Sequence, residues 1–89
     1  MNQYKIKFLE DRLIDYLGFA PEAVMDHLIG TAVILQEYGA SDYLVDAGLF
    51  HSIYGEASSR NIPKNIYLTR EQLVDIIGKD AERIVFEYS

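Results

Sequence analysis

The segment at residues 42–54 constrains the fold of this chain more than any other. Its sequence, DYLVDAGLFHSIY, follows Ser41, a residue type that often caps the start of a helix. From residue 44 onward, nearly every position except Asp46 and His51 is apolar or small. A helix that is apolar on all sides needs other elements to cover it. We therefore predict a central helix at 42–54 that packs against several others.

Helical periodicity continues through most of the remaining sequence. Apolar residues recur at steps of three and four before Gly18, and Pro21 suits the first turn of a second helix. Thr69 and Gln72 have the spacing of a capping box, and Gly78 ends the segment that follows them. The pattern predicts one all-α domain over residues 1–89, with a loop at 55–68. The predicted domain has about five helices, at 6–18, 21–38, 42–54, 70–77 and 81–88.

Two glycines lie inside the most apolar predicted helices. Gly30 belongs to the helix at 21–38 and Gly48 to the helix at 42–54. A glycine in a helix interior costs about 1 kcal/mol relative to alanine. Close approach of two backbones is one reason for a protein to retain such glycines. We therefore predict that these two helices cross near Gly30 and Gly48.

Charge and cysteine content exclude several classes of function. The sequence contains no cysteine, so disulfides, zinc–thiolate sites and thiol nucleophiles are excluded. Its net charge is −6, with 14 acidic and 8 basic side chains, and the basic residues are scattered along the chain. This balance argues against binding to nucleic acid. The first residues lack the apolar core of a signal peptide, and the apolar runs are too short to span a membrane. We predict a cytoplasmic protein that binds neither nucleic acid nor membrane.

The two histidines, His27 and His51, both fall in the most apolar predicted helices. A buried imidazole without a hydrogen-bond partner costs about 1–3 kcal/mol. A backbone carbonyl, or a nearby side chain such as Asp26, Asp46 or Thr31, would satisfy each ring. A metal ion would satisfy it as well. The residues themselves leave both interpretations open.

A resemblance to a known family bears on this choice. Residues 22–88 resemble the start of a metal-dependent phosphohydrolase domain of the HD superfamily. In that family one histidine lies early in a helix, and an A-x-L-L-H-D motif ends a later apolar helix. His27 matches the first position, and His51, in AGLFHS, matches the second.

The likeness is closest to the branch that hydrolyses ppGpp, in which an H-D-x-x-E-D motif precedes a loop and two further helices. Here HSIYGE precedes LTREQLVDIIGKDAERIVFEY. The resemblance implies a truncated HD-domain-like helical bundle. It also implies a divalent metal (Mn, Fe or Zn) held by His27 and His51.

Several positions depart from the HD pattern. Ser52 stands in place of the aspartate of the histidine–aspartate pair, and Gly55 replaces the following glutamate. Glu56 replaces the last acid of the motif conservatively, and the family's final aspartate ligand would lie beyond Ser89. A neutral hydroxyl is a poor ligand for a hard divalent cation, and two imidazoles alone hold a metal weakly. We therefore predict a degenerate metal site, vestigial or weak, and no bound cofactor.

The leading functional hypothesis is a non-catalytic HD-like binding or interaction module. Exposed apolar helix faces would serve to form a homo-oligomer or to bind a partner protein. A further hypothesis is a small-ligand sensor that uses the pocket of the histidines without chemistry. Tyr54 is a candidate ligand-binding residue, because tyrosine rings can line a pocket for a planar ligand, although they can equally fill the core and its rim.

The alternative to a binding module is an enzyme. It is a small metal-dependent phosphohydrolase acting on a nucleotide or another phosphate ester. His27 and His51 would hold the metal, and Glu56 would orient the attacking water as the catalytic residue. Arg60 and Lys64 would bind the phosphate.

Overall fold

The computed structural model describes residues 2–54 and 68–88. These residues form α1 (Gln3–Leu17), α2 (Glu22–Glu37), α3 (Asp42–Leu49) and α4 (Arg70–Glu87). No strand occurs in the two described ranges, which confirms the prediction of an all-α fold. Within those ranges, no helix is both long enough and apolar enough to cross a membrane. The predicted loop lies almost wholly outside the described residues.

Local signals determine both ends of α1. The side chain of Asn2 accepts a hydrogen bond from the backbone N–H of Tyr4 at 2.8 Å, so the helix begins at residue 3 and not at residue 6. At the other end, Gly18 adopts a left-handed conformation with φ 78°, and its N–H donates to the carbonyl of Ile14. Glycine is the residue that adopts this left-handed conformation most readily, and the predicted stop at Gly18 is confirmed.

α3 ends at Leu49, five residues before its predicted end at 54. The N–H of Phe50 still donates to the carbonyl of Asp46, and the chain then continues in turns to residue 54. In a longer helix, the carbonyl of Gly48 would accept from the N–H of residue 52. The ring of His51 takes that carbonyl instead, at 2.6 Å. The apolar periodicity continued past the helix because the turn also buries side chains, among them Ile53.

α4 begins with the predicted capping box and bends at Gly78. The Thr69 hydroxyl accepts from the N–H of Gln72 at 3.1 Å, and the Gln72 side chain accepts from the N–H of Thr69 at 2.9 Å. Gly78 has φ 86° and ψ 163°, which are not helical angles. α4 is therefore one element with two arms, a first arm at 70–77 and a second arm at 79–87. Two separate helices were predicted here, and the second arm begins earlier than the predicted residue 81.

The bend turns the second arm back beside the start of the first. Arg70 and Glu82 are 12 residues apart, yet the Nε of Arg70 lies 2.9 Å from a carboxylate oxygen of Glu82. A straight helix would separate these residues by about 18 Å along its axis. The conformation of Gly78 therefore allows a contact between the two arms that a straight helix could not make.

α3 packs against both α2 and α4, the central position that its sequence predicts. The crossing of α2 and α3 uses only one of the two glycines. A Cβ on Gly48 would lie 2.5 Å from Cδ1 of Leu35 and 3.4 Å from Cγ2 of Thr31. At Gly30 nothing lies within 4 Å of such an atom. The predicted close approach is therefore correct for Gly48 and wrong for Gly30.

The core draws on all four described helices and on the described residues on either side of 55–67. Its members are apolar side chains with little or no exposure to solvent. They are Leu9, Leu13, Met25, Leu28, Ala32, Val45, Ala47, Leu49, Phe50, Ile53, Leu68, Leu73, Ile77, Ala81 and Val85.

Candidate functional site

The two histidines lie side by side in the folded chain. His27 is carried by α2 and His51 by the turn that follows α3, and the packing of α2 on α3 brings them together. Their ring centroids are 5.2 Å apart, and the ring planes meet at 79°. Two positions far apart in sequence therefore belong to one site, which we call the histidine pair. The metal-binding role of these residues stays a prediction.

His51 is held in one orientation by its hydrogen bond to the carbonyl oxygen of Gly48, 2.6 Å from Nδ1. A carbonyl oxygen can only accept, so Nδ1 carries the proton. In the neutral ring Nε2 then keeps its lone pair, as in a histidine that binds a metal or accepts a proton. The backbone carbonyl is thus the partner of this half-buried ring.

His27 differs from the expectation of a buried imidazole. It lies on the exposed side of α2, and its ring has no hydrogen-bond partner among the described residues. Its backbone carbonyl accepts a hydrogen bond from the hydroxyl of Thr31 at 2.9 Å. The apolar sequence of α2 concealed this exposure, because an apolar residue at most positions does not identify the side that faces solvent.

The described residues do not complete a metal-binding set around the histidine pair. Within 2–54 and 68–88, no three histidine, cysteine or acidic side chains are grouped so as to hold a metal ion. Asp46, one of the acids near His51 in sequence, lies 2.7 Å from Nζ of Lys5. Two imidazoles without a carboxylate do not fit the donor set of a hydrolytic divalent-metal centre. The predicted residues Glu56, Arg60 and Lys64 lie outside the described residues.

A second polar site surrounds Glu82, which is 3% exposed. Its carboxylate accepts two hydrogen bonds from the Arg70 guanidinium, both at 2.9 Å, and one from the Tyr54 hydroxyl at 2.7 Å. The guanidinium also lies 3.6 Å from the ring centroid of Phe86, a cation–π contact. We call these four residues the Glu82 cluster.

The contacts of the Glu82 cluster shift the pKa values of its members. The hydrogen bonds from Arg70 lower the pKa of Glu82 against the opposing effect of burial, and the Tyr54 hydroxyl lowers it further. Burial raises the pKa of Tyr54, and so does its hydrogen bond to Glu82. The hydrogen bond to Glu82 raises the pKa of Arg70. At neutral pH the cluster therefore contains a carboxylate, a guanidinium and a neutral phenol.

The ligand contact of Tyr54 stays a prediction, and the sequence predicts no site at Glu82. The hydroxyl proton of Tyr54 is already donated to Glu82, although its oxygen can still accept a hydrogen bond. Nothing in the spacing of Arg70 and Glu82 indicates a pair, because their contact depends on the bend at Gly78. The one local signal was an acidic residue directly after the buried Ala81, on a helix whose other buried positions are apolar.

The outer face of α2 carries large apolar side chains that are exposed to solvent. Steps of three and four place Ala23, His27, Gly30, Ile34 and Glu37 along one side of the helix, and Tyr38 follows directly. Ile34 is 54% exposed and Tyr38 is 86% exposed. Ile34, Glu37 and Tyr38 line an open depression of about 400 Å³. We call these six residues the outer face of α2.

A family model described as a domain of unknown function, DUF6817, matches residues 8–89. The chain belongs to the DUF6817 family. The match covers α2, α3, α4 and all but the start of α1, so both polar sites and the outer face of α2 lie inside the DUF6817 domain. No curated protein and no solved structure matches the chain. The family description names no activity or ligand, and the resemblance to the HD superfamily stays a prediction.

Proposed function

We propose that this DUF6817 domain is a non-catalytic binding module that engages another protein chain through the outer face of α2. The exposure of Ile34 and Tyr38 on that face is the observation that carries the proposal. By contrast, the exposed ring of Phe86 is already in contact with Arg70. Large apolar side chains grouped on one helix face commonly mark an interaction site. We expect this interaction to take place in the cytoplasm.

The composition of the histidine pair supports a module without catalysis. Ser52 stands beside His51 where the HD superfamily has an aspartate, and a serine hydroxyl does not compensate the charge of a divalent cation. The carboxylate of Asp46 is paired with Lys5. On this proposal the site is a degenerate remnant of an HD metal site, within a truncated HD-like helical bundle.

Affinity capture with matched variants tests the module. Tyr38 and Tyr88 each follow a glutamate that ends a helix, and they are 86% and 84% exposed. Only Tyr38 belongs to the outer face of α2. We expect one or more proteins to be retained by the wild-type chain and by Tyr88→Ser, and lost with Tyr38→Ser. Retention of the same proteins by all three baits would contradict the proposal.

The second candidate is the small metal-dependent phosphohydrolase, acting on a nucleotide or another phosphate ester. The observation in its favour is the histidine pair, whose rings lie 5.2 Å apart, with Nε2 of His51 left as the metal-binding nitrogen. It requires a carboxylate ligand from outside the described residues, the part of the chain that contains Glu56.

Elemental analysis separates the two candidates. The purified protein is analysed for Mn, Fe and Zn and then assayed for phosphate release from nucleotides, with His51→Ala as the control. The module predicts no stoichiometric metal and no release of phosphate that depends on His51. A stoichiometric metal together with activity that His51→Ala abolishes would establish the enzyme instead.

A further inference from the structure

The chemistry of the outer face of α2 indicates what kind of chain it binds. We infer that its occupant is a basic amphipathic helix of another protein, and not a second copy of this chain. The inference rests on the proposed function and deepens it, since it names the class of partner for the same face.

The charges of α2 all have one sign. Its acidic residues are Glu22, Asp26 and Glu37, and it contains neither lysine nor arginine. None of these three carboxylates has an ion-pair partner among the described residues, and all three are exposed. An exposed helix that combines apolar side chains with unpaired carboxylates is complementary to a surface that combines apolar and basic side chains.

The depression at the end of α2 is suited to one basic side chain of such a partner. It is lined by an aliphatic side chain, an aromatic ring and a carboxylate, from Ile34, Tyr38 and Glu37. Lysine and arginine have apolar stems that pack on apolar surface while their charged ends reach a polar group. A cation beside Tyr38 also gains from the face of its ring. Glu37 would then receive the charged end.

The middle of the outer face allows a helix to approach closely. Gly30 is half-buried, and nothing lies within 4 Å of the position that a Cβ would occupy. The fold therefore gives no packing reason for a glycine at this position, although it costs about 1 kcal/mol relative to alanine. A partner helix crossing at Gly30 would use the space that a side chain would otherwise fill. Ala23, about two turns away on the same side of α2, is also small.

A second copy of the chain is a poor occupant for the same face. Two α2 helices packed antiparallel across Gly30 would place Glu37 of each copy near Ala23 of the other, close to Glu22 and Asp26. Such an interface brings three carboxylates from each copy together, with no basic side chain from either helix. Like charges placed together in an interface oppose association. A basic helix removes this repulsion and adds attraction.

A synthetic peptide tests the inference directly. The probe is a labelled helix of the same length as α2, with leucine on one side and lysine and arginine on the other, measured by fluorescence anisotropy at physiological ionic strength. Two control peptides have the same composition in scrambled order, or glutamate in place of the basic residues. The protein variants are Glu37→Lys on the outer face of α2 and Glu87→Lys at the end of α4. Both positions are exposed carboxylates at the last residue of a helix, where lysine is favourable for helix stability.

We expect the basic amphipathic peptide to bind at least about tenfold more tightly than either control peptide. Glu37→Lys should weaken its binding roughly tenfold, and Glu87→Lys should leave it nearly unchanged. Equal losses with both variants, or no preference over the scrambled peptide, would overturn the inference. So would a dimer in light scattering that Tyr38→Ser dissociates. If these results appear while affinity capture still finds a partner that depends on Tyr38, the basic helix is wrong and the binding module stands.

Discussion

Replacing glycine with alanine should raise the free energy of unfolding at Gly30 and lower it at Gly48, two positions inside packed helices. Alanine is preferred over glycine in a helix interior by roughly 0.5–1 kcal/mol. At Gly30 nothing lies within 4 Å of the added Cβ, so Gly30→Ala should stabilise the protein by that amount. At Gly48 the added atom would lie 2.5 Å from Cδ1 of Leu35, so the end of that side chain, which packs partly buried against the core, must shift.

Overpacking costs about 1–3 kcal/mol, and because only the end of a flexible side chain must shift here we expect the lower half of that range, which slightly exceeds the helix preference. We therefore expect Gly48→Ala to destabilise the protein by up to about 1 kcal/mol, which places the two variants about 1–2 kcal/mol apart. Urea denaturation followed by circular dichroism measures both free energies of unfolding.

The role of Leu35 has its own control in a double-mutant cycle. Leu35→Ala removes the atom that the new Cβ would meet, so Gly48→Ala should cost less in that background than in the wild-type protein. Equal stabilities of the two alanine variants would refute the predicted clash at Gly48. Strict additivity of Gly48→Ala and Leu35→Ala would refute the assignment of that clash to Leu35.

Three further predictions concern the polar contacts and the bend. Glu82→Gln should lower the free energy of unfolding by about 1–3 kcal/mol at neutral pH. Because the pKa of Glu82 is lowered in the folded state, its contribution is complete above the pKa of the unfolded carboxyl and is lost as the pH falls through the lowered value. The difference in urea midpoint between wild type and Glu82→Gln should therefore shrink on acidification, and a constant difference would argue against an ionised Glu82. His51→Ala should cost about 1 kcal/mol of stability through the lost hydrogen bond to the Gly48 carbonyl, whereas His27→Ala should change stability by less than about 0.5 kcal/mol. A larger loss of melting temperature with His27→Ala than with His51→Ala would contradict that hydrogen bond. Gly78→Ala should cost about 1–3 kcal/mol because φ is 86° there, and unchanged stability in a denaturant titration would show that the bend does not require glycine.

Features set by neighbouring residues were predictable from the sequence, and features set by distant contacts were not. The C-terminal end of α1 follows from Gly18, and the N-terminal end of α4 follows from the Thr69 capping box. Each of these signals acts within four residues. The early end of α3 depends on a side chain that takes a backbone carbonyl, and hydrophobic periodicity does not detect such a bond.

The two polar sites show the same limit. The resemblance to the HD superfamily, itself still a prediction, puts His27 and His51 in one site, and their rings do lie together in the structure. Their environment could not be anticipated, since α2 is apolar on several sides and only its packing against α3 decides that His27 is exposed. Glu82 was missed because its partners reach it only through the bend at Gly78.

The Glu82 cluster also bears on the order in which the chain folds. The hydrogen bond from Tyr54 joins residues 28 positions apart, whereas α2 and α3 are consecutive helices that pack on each other. Contacts between consecutive helices close short loops and lose little chain entropy, so they form early. We expect the contact between Glu82 and Tyr54 to form after the folding transition state. Weakening a contact that forms this late raises the unfolding rate and leaves the folding rate nearly unchanged. Loss of the Tyr54–Glu82 contact should therefore shorten the lifetime of a folded molecule more than it slows the folding of a new one.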